Sequence, residues 1–223
     1  MRSLVCPYEH EVVASAVRSR VKNAVFDVLP GVLRRGPAVG KRVALTFDDG
    51  PDDMTERYLA LLDDLCVPAT FFLIGARCAQ RPDLVREYVR RGHQIAGHGY
   101  DHTRFTKLGR RALLEQCART DHALGGQLSG KPWVRPPHGS VDASSLFHLV
   151  TAGYTVAMWS MDSRDYGTHD PADVARHCNG AVAGEVLLFH EGQDWTLAAL
   201  PRIVTGLHAS GFECVTMHDL FAE

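Results

Sequence analysis

The strongest constraint on this chain is a beat that begins near residue 43. Short apolar runs, rich in β-branched and aromatic residues, alternate with longer stretches of helical periodicity. The runs fall at 43–47, 69–74, 94–97, 133–134, 155–159, 186–189 and 213–216. Helical stretches lie between them at 56–65, 82–91, 110–124, 143–151, 171–178 and 195–208, with a short helix after the last run. Pro82 and Pro171 open two of these, at the position where a missing N–H does no harm. Most runs are apolar without alternation, as strands covered on both faces are. Seven such strands alternating with helices predict an α/β domain with a parallel sheet wrapped in helices. The beat fits a closed barrel and an open doubly wound sheet alike.

A chain of 223 residues suits a single domain, and 45% hydrophobic residues suffice for a core without staples. The formal net charge of -2 gives no electrostatic footing for nucleic acid or an anionic membrane. No run approaches about 18 apolar residues, so no membrane span is expected. Cysteines at 6, 66, 78, 117, 178 and 214 form no Cys-x-x-Cys pair. They are expected to be free, mostly buried thiols of a reducing compartment. Residues 1–40 are expected to form a helical lead-in, with apolar residues at helical spacing from 12 to 28 and breaks at Pro30-Gly31 and Gly36-Pro37. Charges through this stretch leave no apolar core for a signal peptide, so a cytoplasmic location is expected. The main domain then runs over 41–223.

Five of the runs lead into residues able to do chemistry. Asp48-Asp49 ends the first, His98 the third and Arg135 the fourth; the fifth runs into Asp162 and Asp165, and His190 ends the sixth. In parallel α/β folds the C-terminal strand ends share one rim, where active sites lie. One such residue means little; five on one rim point to a site. His98 and His102 stand four apart, but Gly99 occupies the place where a helical metalloprotease motif needs glutamate. Two histidines and one carboxylate make a catalytic metal site with open positions, and Asp49 is the natural third ligand. Adjacent side chains on a strand diverge, so Asp48 would face a water whose pKa the ion lowers, and act as general base. The plainer reading of Asp48-Asp49-Gly50-Pro51 is a turn. Asp63-Asp64, the same dipeptide in a helical stretch, reads as surface charge. Arg135 is either a surface arginine or the partner that keeps Asp48 ionised. His190 is either a structural histidine or, beside Asp162 or Asp165, a proton donor to a leaving amine.

Taken together the motifs resemble those of the polysaccharide deacetylases, the NodB-type family-four carbohydrate esterases, over about residues 41–220. Thr46-Phe47-Asp48-Asp49-Gly50 matches the first motif in full, and His98-Gly99-Tyr100-Asp101-His102 is similar to His-Ser/Thr-x-x-His. Arg135-Pro136-Pro137-His138-Gly139, Asp162-Ser163-Arg164-Asp165-Tyr166 and Leu188-Phe189-His190 follow in the family's order. The resemblance implies a distorted (β/α)7 barrel, a carbohydrate or amino-sugar substrate, and hydrolysis of its N-acetyl or O-acetyl groups. It implies zinc, with cobalt or nickel as substitutes, on Asp49, His98 and His102. It makes Asp48 the base, Arg135 its positioner and His190 the acid held by Asp165. Pro137, His138, Gly139, Asp162, Tyr166 and Leu188 would meet the sugar, and the His138 N–H would help hold the oxyanion. Gly99 replaces Ser/Thr, His138 an aromatic residue such as tyrosine, and Tyr166 a tryptophan; all three bear on the substrate rather than on a catalytic atom. Two alternatives share the fold: a cytoplasmic deacylase or deformylase of a small molecule or lipid-linked amino sugar, and an inactive carbohydrate-binding module.

Overall fold

The computed structural model describes residues 26–27, 29–127 and 130–222. Most of the expected lead-in helix, and Cys6, lie outside the described residues. The strands are β1 (Val32–Leu33), β2 (Arg42–Asp48), β3 (Thr70–Leu73), β4 (Gln94–Gly97), β5 (Trp133–Val134), β6 (Thr155–Ala157), β7 (Met161–Asp162), β8 (Val186–His190) and β9 (Glu213–Val215). The helices are α1 (Thr55–Asp64), α2 (Gly75–Gln80), α3 (Pro82–Arg90), α4 (Arg110–Ala123), α5 (Ala143–Thr151), α6 (Pro171–His177), α7 (Asp194–Ala209) and α8 (Met217–Phe221). Every strand pairing is parallel, in the order β1-β6-β5-β4-β3-β2-β8-β7. β6 and β7 are halves of one chain run that breaks after Ala157, the former paired with β5 and the latter with β8. The sheet therefore curls round onto itself as a distorted (β/α) barrel, which decides between the two architectures.

Side-chain parity organises this barrel. On β2, Val43, Leu45 and Phe47 face outward into a cluster with Tyr58, Leu59 and Leu62 of α1 and Leu200, Ile203 and Val204 of α7. Phe47 stacks between its register partners Phe71 and Phe189, with centroids 5.1 and 5.4 Å apart. Such pairs add about 0.5–1.5 kcal/mol each beyond area burial. The alternate residues Ala44, Phe72, Ala96, Ala157 and Val186 fill the interior with Val215 and Met217. Three of these are alanines, which leaves room for a long side chain inside.

Three short elements were not expected. β1 is two residues long and takes the edge of β6 opposite β5, so the sheet begins within the stretch assigned to the lead-in. α2 has six residues, too few for helical periodicity to register. β7 begins two residues beyond the strand expected at 155–159, in the stretch that runs on to Asp162. Among the described cysteines four are buried and Cys66 is exposed, all as free thiols. No helix among the described residues is long and apolar enough to cross a membrane.

Candidate metal and acid–base site

The inward parity of each strand continues to its C-terminal end, and there the residue type changes. Asp48 follows Ala44 and Thr46, His98 follows Ala96, and His190 follows Val186 and Leu188. The same alternation that fills the barrel thus delivers two imidazoles and a carboxylate to its mouth. Asp49 then turns back to the mouth because its φ is +74°. Of the five non-glycine residues with positive φ among those described, Asp49, His102, His138 and Arg164 lie at this rim. Each costs about 1–2 kcal/mol, so backbone strain is concentrated at the site.

Asp49, His98 and His102 bring one donor atom each to within 4.8 Å of one another. Asp49 Oδ1 stands 3.1 Å from His102 Nε2 and 3.5 Å from His98 Nε2. That oxygen is buried, and neither approach is aligned as a hydrogen bond. Burial opposes the Asp49 charge, but the facing His102 and His98 rings outweigh it and hold the carboxyl well below the usual range. His98 Nδ1 lies 2.8 Å from the Arg135 carbonyl oxygen, to which it donates as Nδ1–H. Burial lowers the His98 pKa, so the ring is neutral and its Nε2 lone pair faces the cluster. An orphaned carboxylate oxygen faced by two imidazole nitrogens fits a divalent cation, and an N/N/O set suits zinc.

The loop carrying the histidines is braced without a hydroxyl at position 99. The Gly75 and Ala76 N–H groups at the start of α2 donate to the Gly99 and Tyr100 carbonyls at 3.0 and 2.8 Å. Gln116 on α4 accepts from Tyr100 N at 2.8 Å and donates to Asp101 at 2.8 Å. Gly99 has φ +72°, and a Cβ there would meet Pro137 Cγ at 3.1 Å.

Asp48 Oδ2 lies 3.7 Å from His98 Nε2, and its Oδ1 accepts from Arg135 Nη1 at 2.7 Å. Arg135 is fully buried. It also donates to Thr46 Oγ1 at 2.9 Å and to the Met158 carbonyl at 3.0 Å, and it stacks 3.8 Å over the Phe72 ring. This is the long side chain that the inner alanines accommodate, and of the two readings of Arg135 it is the partner of Asp48, not the surface arginine, that the structure shows.

Across the mouth, His190 Nδ1 lies 2.7 Å from Asp165 Oδ1. Asp165 is wholly buried, and its Oδ2 accepts from the His190 backbone N–H at 2.8 Å and Thr196 Oγ1 at 2.9 Å. Burial pulls the His190 pKa down, yet the hydrogen bond and charge of Asp165, with Asp48 and Asp49 beyond, raise it to about 9. Asp165 is therefore the partner, while Asp162 accepts from the Arg164 N–H at 2.8 Å and stands by Tyr166.

These groups open on a cleft of about 420 Å³ lined by Asp48, Asp49, His98, His102 and His190. Of the residues expected to meet a substrate, His138, Gly139, Asp162, Tyr166 and Leu188 line it, and Pro137 does not. Pro137 is buried behind the wall, against Gly99. Arg104, Trp159 and Gln193 also line the cleft and carried no signal in the sequence. Two supports were missed as well: Arg77, which donates to the Asp49 carbonyl at 2.5 Å from the unforeseen α2, and Glu191. The latter is a buried carboxyl directly after His190, and its position next to a rim histidine was the one available hint.

Fold and rim together define a (β/α) barrel whose mouth carries a candidate cation site of two histidines and one aspartate. A family model described as polysaccharide deacetylase matches residues 35–157. Over 186 residues the chain is 34% identical to the peptidoglycan-N-acetylglucosamine deacetylase PgdA of Listeria monocytogenes, covering 82% of this chain and 39% of that protein. It is 32% identical over 204 residues to a chitooligosaccharide deacetylase of Sinorhizobium fredii, covering 84% of this chain and 94% of that one. The chain belongs to the polysaccharide deacetylase family. It spans well under half of the Listeria relative and nearly all of the Sinorhizobium one. Among solved structures, the Bc1960 peptidoglycan N-acetylglucosamine deacetylase superposes with a TM-score of 0.80 at 28% identity, covering 85% of this chain and 92% of that chain. A pseudoenzyme from Bacillus anthracis shares the fold with a TM-score of 0.78 at 23% identity, covering 85% and 68% of the two chains. The fold by itself therefore does not decide activity.

Proposed function

We propose that this chain is a zinc-dependent hydrolase that removes acetyl groups from N-acetylglucosamine units of peptidoglycan or chitooligosaccharide. The observation that carries the reading is Asp49 Oδ1, buried without a hydrogen bond and faced by His98 and His102, with Asp48 and His190 beside it. Asp49, His98 and His102 would hold the cation, which supplies Lewis acidity to a water and to the amide carbonyl. Asp48, kept in place by Arg135, takes the proton of the attacking water. His190, kept protonated by Asp165, gives a proton to the departing amine as the C–N bond breaks, so amide and water leave as acetate and free amine. The His138 N–H is the backbone donor for the oxyanion. Tyr166 and Trp159 offer aromatic faces to a sugar ring, while His138, Gly139, Asp162 and Leu188 complete the wall.

The test strips the protein with a chelator, restores zinc or cobalt, and follows acetate and formate from N-acetylated chitooligosaccharides, peptidoglycan fragments and N-formylated amino sugars. Zinc-dependent acetate release from a glucosamine polymer is expected. Formate release alone supports the deformylase alternative, and glycan binding without turnover at saturating metal supports the binding module; either overturns the proposal.

A further inference from the structure

Glu191 is a buried carboxyl beside the site that the mechanism above does not use. It is 4% exposed and sits one residue past His190. Tyr88 of α3 donates its hydroxyl to the carboxyl, 2.9 Å from Oε1 and 2.8 Å from Oε2. Thr55, the first residue of α1, donates to Oε1 at 3.0 Å and touches the Tyr88 hydroxyl at 3.1 Å. A buried carboxyl is costly to desolvate, and both hydroxyls are spent on satisfying it.

Its location gives it a task. The carboxyl packs against Gly50, where an added Cβ would collide with Glu191 Oε2 and Cδ and with the Tyr88 hydroxyl. Gly50 directly follows Asp48 and Asp49. The Glu191 backbone N–H donates to the Asp48 carbonyl at 3.0 Å, and the Gly50 carbonyl accepts from Ile74 N at 2.8 Å. The turn that carries both aspartates is thus pinned from above by β3 and supported from behind by the Glu191 side chain. Thr55 completes the frame by accepting from Asp52 N at 2.8 Å on the far side of that turn. Glu191 also joins the two halves of the site, since its own backbone fixes the end of the strand bearing His190.

We propose that Glu191 is a positioning residue: its carboxyl, held by Tyr88 and Thr55, sets the placement of the Gly50 turn and so of Asp48 and Asp49. Its effect on turnover rests on the deacetylase reading; its effect on metal affinity does not.

The experiment compares Glu191→Ala, Glu191→Gln and Tyr88→Phe with the parent chain. Calorimetry gives the zinc Kd without any turnover, acetate release gives kcat and KM, and melting temperature reports folding. Glu191→Ala is expected to weaken zinc and lower kcat by about tenfold or more each, with KM little changed. Glu191→Gln keeps the shape and an acceptor oxygen, and should restore both to within about threefold of the parent. A role in stability alone lowers the melting temperature and leaves zinc Kd and kcat as they were, which overturns the proposal. Glu191→Gln as damaged as Glu191→Ala overturns it too. Should Glu191→Ala fail to fold, Tyr88→Phe decides, because it removes one hydroxyl without a cavity: a parental zinc Kd in that folded variant refutes the positioning role. A parent chain that binds zinc but releases no acetate refutes the deacetylase reading, while the zinc comparison still tests Glu191.

Discussion

Replacing Asp165 by asparagine should move the alkaline limb of activity, and the size of the move follows from the geometry. Burial alone lowers the His190 pKa; Asp165, 2.7 Å from Nδ1, outweighs that and raises it from 6.5 to about 9. Asparagine keeps the volume and an acceptor for Thr196 and the His190 N–H, but removes the charge. With that charge gone, burial is opposed only by Asp48 and Asp49 beyond, and the pKa falls towards its ordinary value of 6.5. At about pH 8 the protonated fraction of His190 then drops from about nine-tenths towards about one-thirtieth, a loss of up to about 30-fold in kcat/KM. Near pH 6 both forms remain largely protonated, and the loss from this cause shrinks below about twofold.

The same shift has a stability consequence. His190 gains its proton affinity on folding, so the stabilisation is full below the unfolded value of 6.5 and is lost as pH rises through about 9. At about 1.4 kcal/mol per pH unit the shift amounts to about 3 kcal/mol in acid solution. The assay is acetate release across pH for both proteins, with urea denaturation at about pH 6 and pH 9.5 beside it. An Asp165→Asn profile whose alkaline limb coincides with that of the parent would falsify the reasoning. A histidine resonance assigned to His190 that titrates near its ordinary value in the parent would also sink it.

Three further outcomes are expected. Asp48→Asn should bind zinc with parental stoichiometry while kcat falls by about 10²–10⁴, whereas Asp49→Ala should lose zinc affinity itself; calorimetry that finds parental affinity in Asp49→Ala contradicts the ligand assignment. Arg135→Ala leaves the Asp48 carboxylate buried without its partner and should destabilise the fold by about 3–5 kcal/mol in urea, while a loss under about 1 kcal/mol would mean that the pair is not buried as described. Gly99→Ser installs a residue usual in the family but at φ +72° and against Pro137, so it should cost about 1–2 kcal/mol of stability, and a more stable variant would refute the account of the loop.

The succession of parallel strands was readable from sequence because strands buried on both faces leave apolar runs, and seven of them survive translation into structure with shifts of at most two residues at the ends. β1, β7 and α2 escaped because two residues or six cannot establish a period. The choice between a barrel and an open sheet was not readable from periodicity, since it turns on one break after Ala157 that lets a single run pair with β5 on one half and β8 on the other. Asp48, His98 and His190 were readable for a different reason. Each is the next inward position at the C-terminal end of a strand, so a chemical group there must face the barrel mouth.

That argument also explains which parts of the site stayed hidden. Strand parity fixes direction only while the backbone is extended. Asp49 breaks it with φ +74°, and His102 and His138 break it with +64° and +58°, so their convergence depends on turns that no alternation predicts. The supports lie one step further away. Arg77, Tyr88, Thr55 and Thr196 act from helices; periodicity places the last three on buried faces without saying which strand end they reach, and the helix bearing the exposed Arg77 is too short to show a period. A lone glutamate after a rim histidine resembles surface charge until the fold brings Tyr88 and Thr55 to it from two other elements. The residues that could meet a metal or substrate announce themselves by type and position. Those that hold them in register are ordinary by type, and only the tertiary contacts separate Glu191 from the exposed glutamates elsewhere in the chain.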